Sequence, residues 1–194
     1  MTFGILVLLV LYLLATLLVV GLVALGYGVV TYNRFVRLLT HVEAALSDVD
    51  VLLTKRNNLI PNLIEAVGGY AGHESGVFKE ITALRAKAMQ ATSVEEKAQY
   101  EENLRGLFKS LFAVAESYPG LKADANFRQL QQTLQELENG IEAGRRSYNV
   151  RVREHNILLK SFPANLVGNF LGRTPCTFFA SKDEQERQLP KVDF

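Results

Sequence analysis

Hydrophobic and polar positions divide this chain into an unbroken apolar leader and a series of striped, helix-forming segments. Phe3 to Val30 is a run of 28 residues without a charge, dominated by Leu, Val and Ala. A bilayer core of about 30 Å needs roughly 20 helical residues, so this run, with Phe3, Leu11, Leu18 and Val30 along it, predicts a transmembrane helix. A cleaved signal peptide would need a basic n-region and a shorter apolar core, and neither is present. After it, Leu39, Val42, Leu46, Val49, Leu53, Arg56, Ile60, Leu63, Val67 and Tyr70 alternate in steps of three and four. That is a heptad seam of a long helix, apolar at every member except Arg56. Pro61 lies inside it, has no N–H and crowds the carbonyl of Asn57, which predicts a kink. Gly68-Gly69 and Gly72 close the helix.

The same step recurs three more times. Phe78, Ile81, Leu84 and Ala88 predict a second helix over about 75–90. Ser93-Val94-Glu95-Glu96 has capping-box spacing and opens a third, striped by Tyr100, Leu104, Leu107, Leu111, Val114 and Tyr118. Tyr118-Pro119-Gly120 stops it. The fourth is the most regular, running from Phe127 through Leu130, Leu134, Leu137, Ile141, Gly144, Tyr148, Val152, His155 and Leu159 to Phe162 before Pro163. No segment alternates with period two. The fold class is therefore all-α: an N-terminal transmembrane helix, then an antiparallel bundle of two long and two shorter helices. The boundaries read as an anchor over 1–31, a bundle over 32–163, and a short apolar segment with an irregular polar tail over 164–194.

Charge sharpens this picture. All 21 Lys/Arg and 20 Asp/Glu lie at Arg34 or later, and the net charge of +1 gives no general pull towards nucleic acid. Arg34 and Arg37 follow the span directly, so the positive-inside rule puts the bundle in the cytoplasm and the N-terminus outside. Between Arg145 and Lys160 the Lys, Arg, Asp and Glu residues are Arg145, Arg146, Arg151, Arg153, Glu154 and Lys160. If the fourth helix descends to the bilayer, Arg34, Arg37, Arg146, Arg151, Arg153 and Lys160 come beside anionic headgroups. Leu166, Val167, Phe170, Leu171, Phe178 and Phe179 would then be interfacial residues; the alternative is that the arginines are solvated and the apolar segment caps the bundle. Gly21, Ala24 and Gly28 share a helix face that could let two membrane helices approach, although small residues are common in such helices.

Candidate chemistry is sparse. His41, His73 and His155 show no metal-ligand spacing. His73-Glu74 could join a metal site with help from elsewhere, but reads more simply as a polar pair at a helix junction. Cys176 alone makes neither a disulfide nor a cysteine cluster and reads as a bystander in the tail. No nucleophile setting appears, so an enzyme is not expected, nor a cofactor. Arg56 is the informative exception, because a buried guanidinium must pair or reach solvent. Asn57, Glu116, Glu138, Asn139 and Arg145 are candidate members of a polar network with it; a ligand pocket or a snorkelling side chain are the alternatives.

Several segments together carry a family resemblance: Tyr32-Asn33, LTKRNNLIPNLIEAVGGYAGHE (53–74), ALRAKA (83–88), ESYPGLKADANFRQLQQTL (116–134), ENGIEAGRRSYNVRVREHN (138–156) and SFP (161–163). In this order, from about Tyr32 to Phe179, they resemble the LemA family of bacterial membrane proteins. The resemblance implies one membrane helix and a cytoplasmic bundle of long antiparallel helices, with no enzymatic activity established. It also implies a role in membrane organisation, including magnetosome formation, or in envelope stress and proteolysis. The expectation is a non-enzymatic scaffold in the bacterial inner membrane. Its partners would be the lipid bilayer, further copies of itself, and other membrane proteins such as envelope proteases. The competing expectation is a membrane-anchored sensor binding a ligand near Arg56 and Pro61.

Overall fold

The structure is a computed structural model that describes residues 2–71 and 75–179. Six helices follow one another: α1 (Thr2–Gly68), α2 (Ser75–Gln90), α3 (Val94–Glu116), α4 (Pro119–Ala123), α5 (Ala125–Lys160) and α6 (Ala164–Phe170). Among the described residues there is no strand. The apolar leader and the first striped segment are a single helix, unbroken across Pro61. His73-Glu74 lies outside the described residues.

The chain forms two compact units, residues 1–41 with 153–176 and residues 42–152 with 177–194. In the second, the striped faces meet. Val49 touches the position of Gly144, Leu52 that of Gly140, and Arg56 reaches Glu138, so α5 runs antiparallel to α1 here. Gly68 lies against Phe78 while Asn57 meets Arg85, which makes α2 antiparallel too; Lys97 on Asp50 and Glu101 on Arg56 make α3 parallel. The result is an up-down-up-down bundle. Its core contains Ile60, Leu63, Val67, Ile81, Leu104, Leu111, Phe127 and Leu134, each burial worth about 1.5–3 kcal/mol against exposure.

Local chemistry sets the ends. Ser93 Oγ accepts from the Glu96 N–H while the Glu96 carboxylate accepts from the Ser93 N–H, the expected capping box. Pro119 does more than stop α3: at the first position of α4 its missing N–H costs nothing and its fixed φ suits a helix. Asp124 Oδ1 then accepts from the Phe127 N–H at 2.8 Å and opens α5.

The first unit is smaller. Phe35, Leu158, Leu159 and Ala164 form its core, with the His155 ring edge-on to Phe35 at 6.0 Å. α6 can lie close because residue 168 is glycine: a Cβ there would come within 2.7 Å of Leu159 Cδ1 and 3.1 Å of the Phe35 ring. Upstream, the N-terminal part of α1 is long and apolar enough to cross a membrane, and Phe3, Leu11, Leu18 and Val30 all face outward.

Candidate functional site

Arg56 is 1% exposed and the seam carries it into the second unit's core. Its guanidinium pairs with Glu101 of α3 and, at 3.2 Å, with Glu138 of α5, and lies 5.6 Å from the Phe108 ring centre. Arg105 stands 3.7 Å from the other Glu138 oxygen. Glu101 is 3% exposed, and burial pushes its carboxyl above the ordinary range against the opposing pull of Arg56. Arg56 Nε, Asn57 Oδ1 and Glu101 Oε2 are buried without a hydrogen-bond partner. Two of the groups that touch Arg56, Phe108 and Glu138, also line a cavity of about 380 Å³ with Arg105 and Asn139.

Of the expected network, then, Arg56 and Glu138 meet. Asn139 is exposed and accepts from Gln135 one turn earlier, and Glu116 is exposed on α3. The Arg145 guanidinium lies 5.0 Å over the Phe179 ring. Glu101 is the partner that a register begun at Tyr100 misses, although its place one turn before Leu104, in line with Ala98, Phe108 and Leu111, marks it as a buried-face residue.

Asn57 has a separate role through its backbone. A helical carbonyl normally accepts from the N–H four residues on, and at that position stands Pro61, which has none. Arg85 of α2 fills the gap, its Nε donating to Asn57 O at 2.6 Å.

Two asparagines of α5 hold the C-terminal segment, one in each unit. Asn149 donates to Phe179 O at 3.0 Å and accepts from Phe179 N at 2.8 Å; beside it Tyr148 Oη donates to Thr177 O at 2.8 Å. In the other unit Asn156 donates to Cys176 O at 2.9 Å and accepts from Cys176 N at 2.8 Å. A side-chain amide carries the same donor and acceptor as a peptide group, so each pair satisfies backbone that has no helix or sheet partner. Cys176 is thus a clasped residue and not a bystander, its Sγ 3.5 Å from His155 Nδ1. Phe179 is fully buried, with its ring edge-on to Tyr148, and is not an interfacial residue; Phe178 is partly exposed.

The basic residues distribute plainly. Arg34, Arg37, Arg153 and Lys160 are exposed in the first unit, as is Arg146 in the second, where it pairs with Glu142; Arg151 is half-buried. Also in the first unit, Leu25, Gly28, Val29 and Tyr32 of α1 and Leu166, Val167 and Phe170 of α6 line an open apolar groove of about 490 Å³.

The chain is 24% identical over 177 residues to Magnetosome protein MamQ 2 of Paramagnetospirillum magneticum, covering 78% of this chain and 65% of that protein. It is 26% identical over 166 residues to Protein LemA of Metamycoplasma hominis, covering 83% and 72%. The chain therefore spans just under two thirds of the length of the magnetosome protein it matches. An apolar N-terminal helix long enough to cross a bilayer fits a membrane location. A family model described as LemA family matches residues 45–194, and the chain belongs to that family.

Proposed function

We propose that this is a non-enzymatic, single-pass scaffold of the bacterial inner membrane, with its N-terminus outside and its helical bundle in the cytoplasm. One observation carries the reading: the helix that contains the apolar span is the same helix that supplies Val49, Arg56, Ile60 and Leu63 to the bundle core. Arg34 and Arg37, just past the span, support this orientation through the positive-inside rule. The bundle then self-associates or recruits other membrane proteins, envelope proteases among them. The relative's name, a magnetosome protein, supports membrane organisation as the setting. Crosslinking in intact cells, with light scattering of the detergent-solubilised chain, tests this. Discrete assemblies larger than one 21.6 kDa copy, or a reproducible set of crosslinked membrane neighbours, are expected. A strict monomer with no neighbour refutes the scaffold.

A ligand sensor is the second reading, favoured by the unpartnered buried atoms of Arg56 and Glu101 and by the 380 Å³ cavity whose lining residues Phe108 and Glu138 touch Arg56. Small molecules would then raise the melting temperature of the wild type and leave Arg56→Ala unmoved.

A further inference from the structure

We propose that α6 lies in the membrane interface and that its groove against α1 takes an acyl chain of an anionic phospholipid. The inference rests on the membrane-anchor reading and adds a lipid-binding site to it.

The groove's two walls have different origins and the same chemistry. One is Leu25, Val29 and Tyr32 of α1, the end of the uncharged run and its first turn beyond; Leu25 and Val29 are 69% and 56% exposed. The other is Leu166, Val167 and Phe170 of α6. A helix that crosses a bilayer at Leu25–Val29 has lipid around those residues, so whatever lies in a groove with them lies in lipid too. The outward face of α6 is fixed by the close approach of Gly168 to Leu159 and Phe35 on its other side. That leaves Phe170 91% exposed, with Leu166 and Phe162 exposed beside it. A segment that merely capped the core would turn these side chains inward. Large aromatic and aliphatic side chains presented outward next to a membrane helix are what an interfacial element requires.

Charge selects the lipid. The first unit contains Arg34, Arg37, Arg153, Lys160 and Arg173 against Glu154, a net +4 in a chain whose total is +1; the rest therefore carries −3. Arg34, Arg37 and Lys160 are exposed, and Arg173, just after α6, has its Nε buried without a hydrogen-bond partner. A phosphate-bearing anionic headgroup on an acyl chain matches this surplus of cations in the unit that holds the apolar groove, each cation near such a surface favouring it by about five-fold.

The chain has no tryptophan, so a single introduced indole reports its own surroundings. The full-length chain carrying Phe170→Trp, Val29→Trp or Met89→Trp (the last an exposed α2 position in the second unit) is reconstituted in mixed phosphatidylcholine–phosphatidylglycerol vesicles. Either lipid is supplied with brominated acyl chains, which quench indole on contact. Phe170→Trp should be quenched as strongly as Val29→Trp while Met89→Trp is not. Brominated phosphatidylglycerol should quench Phe170→Trp more than brominated phosphatidylcholine, a preference reduced by about five-fold per cation in Lys160→Gln and Arg173→Gln. Water-like, unquenched emission from Phe170→Trp overturns the proposal. Blue-shifted but unquenched emission also overturns it, since a second protein copy then covers the groove. Equal quenching by both lipids refutes the anionic preference. If Val29→Trp is unquenched as well, the anchor itself fails together with the inference, which separates that failure from the loss of the α6 site alone.

Discussion

Replacing Arg85 by methionine keeps the apolar stem of the side chain and removes the donor that serves Asn57 O at 2.6 Å. Elsewhere in a helix such a loss would matter little, because the carbonyl keeps its own intrahelical bond. Here it does not, because the donor four residues on would be Pro61. A hydrogen bond from a charged donor contributes about 1.5–3 kcal/mol net, and Arg85→Met should cost that much. For a unit of this size the loss corresponds to roughly 5–12 °C in melting temperature. Pro61→Ala restores an N–H aimed at the same carbonyl. In that background Arg85→Met should cost under about 1 kcal/mol, a coupling of about 1–2 kcal/mol between residues on different helices. Urea unfolding of the full chain in mild detergent, followed by helical circular dichroism, measures all four corners of the cycle. If Arg85→Met costs the same with proline or alanine at 61, the guanidinium is not serving the orphaned carbonyl and the reasoning is refuted.

Three further outcomes follow from the same geometry. Arg56→Met leaves Glu101 buried without its cation and should destabilise by about 3–5 kcal/mol at pH 8; adding Glu101→Leu should recover most of that, and a double variant no better than the single one contradicts the pairing. Burial holds the Glu101 carboxyl above its ordinary value of 4.5, so the folded state keeps that proton more tightly than the unfolded chain. This contribution is complete below about 4.5 and is lost as pH rises through the raised value; Glu101→Gln, which cannot ionise, should gain on the wild type as pH climbs, whereas parallel stability curves would sink the assignment. Asn149→Ala and Asn156→Ala each remove two hydrogen bonds to the C-terminal segment, about 1–3 kcal/mol apiece, and should speed amide exchange at Phe179 and Cys176 respectively; unchanged exchange would refute the clasps.

Much of the helical framework was legible because burial follows the three-four step. Val42, Val49, Leu53, Arg56, Ile60, Leu63 and Val67 are all buried, as are Leu134, Ile141, Tyr148, Val152, His155 and Leu159 on α5. The seam also singled out Arg56, since a charged residue in a buried register needs partners. What periodicity could not supply was the partner's identity. Glu101 belongs to a stripe through Ala98, Leu104 and Phe108, which a register started from Tyr100 passes over. Glu116 and Asn139 adjoin buried Ala115 and half-buried Glu138 in sequence, but a 100° turn per residue carries them to the outside. The asparagine clasps were invisible for a different reason. Their partners are backbone groups 20 and 30 residues away, and backbone leaves no signature in side-chain pattern. Pro61 offers no N–H to the Asn57 carbonyl, which its identity alone dictates, but the donor that replaces it sits on another helix and leaves no mark in spacing.

A membrane scaffold requires the apolar helix to reside in the bilayer and the bundle to occupy its cytoplasmic side. Protease digestion of the full chain in sealed vesicles of opposite orientation measures both. Inside-out vesicles should yield rapid loss of α2–α5 with a short fragment containing Phe3–Val30 retained in the membrane pellet, while right-side-out vesicles protect the bundle. Protection in the inverse pattern, or release of the undigested chain into the supernatant, would contradict the account.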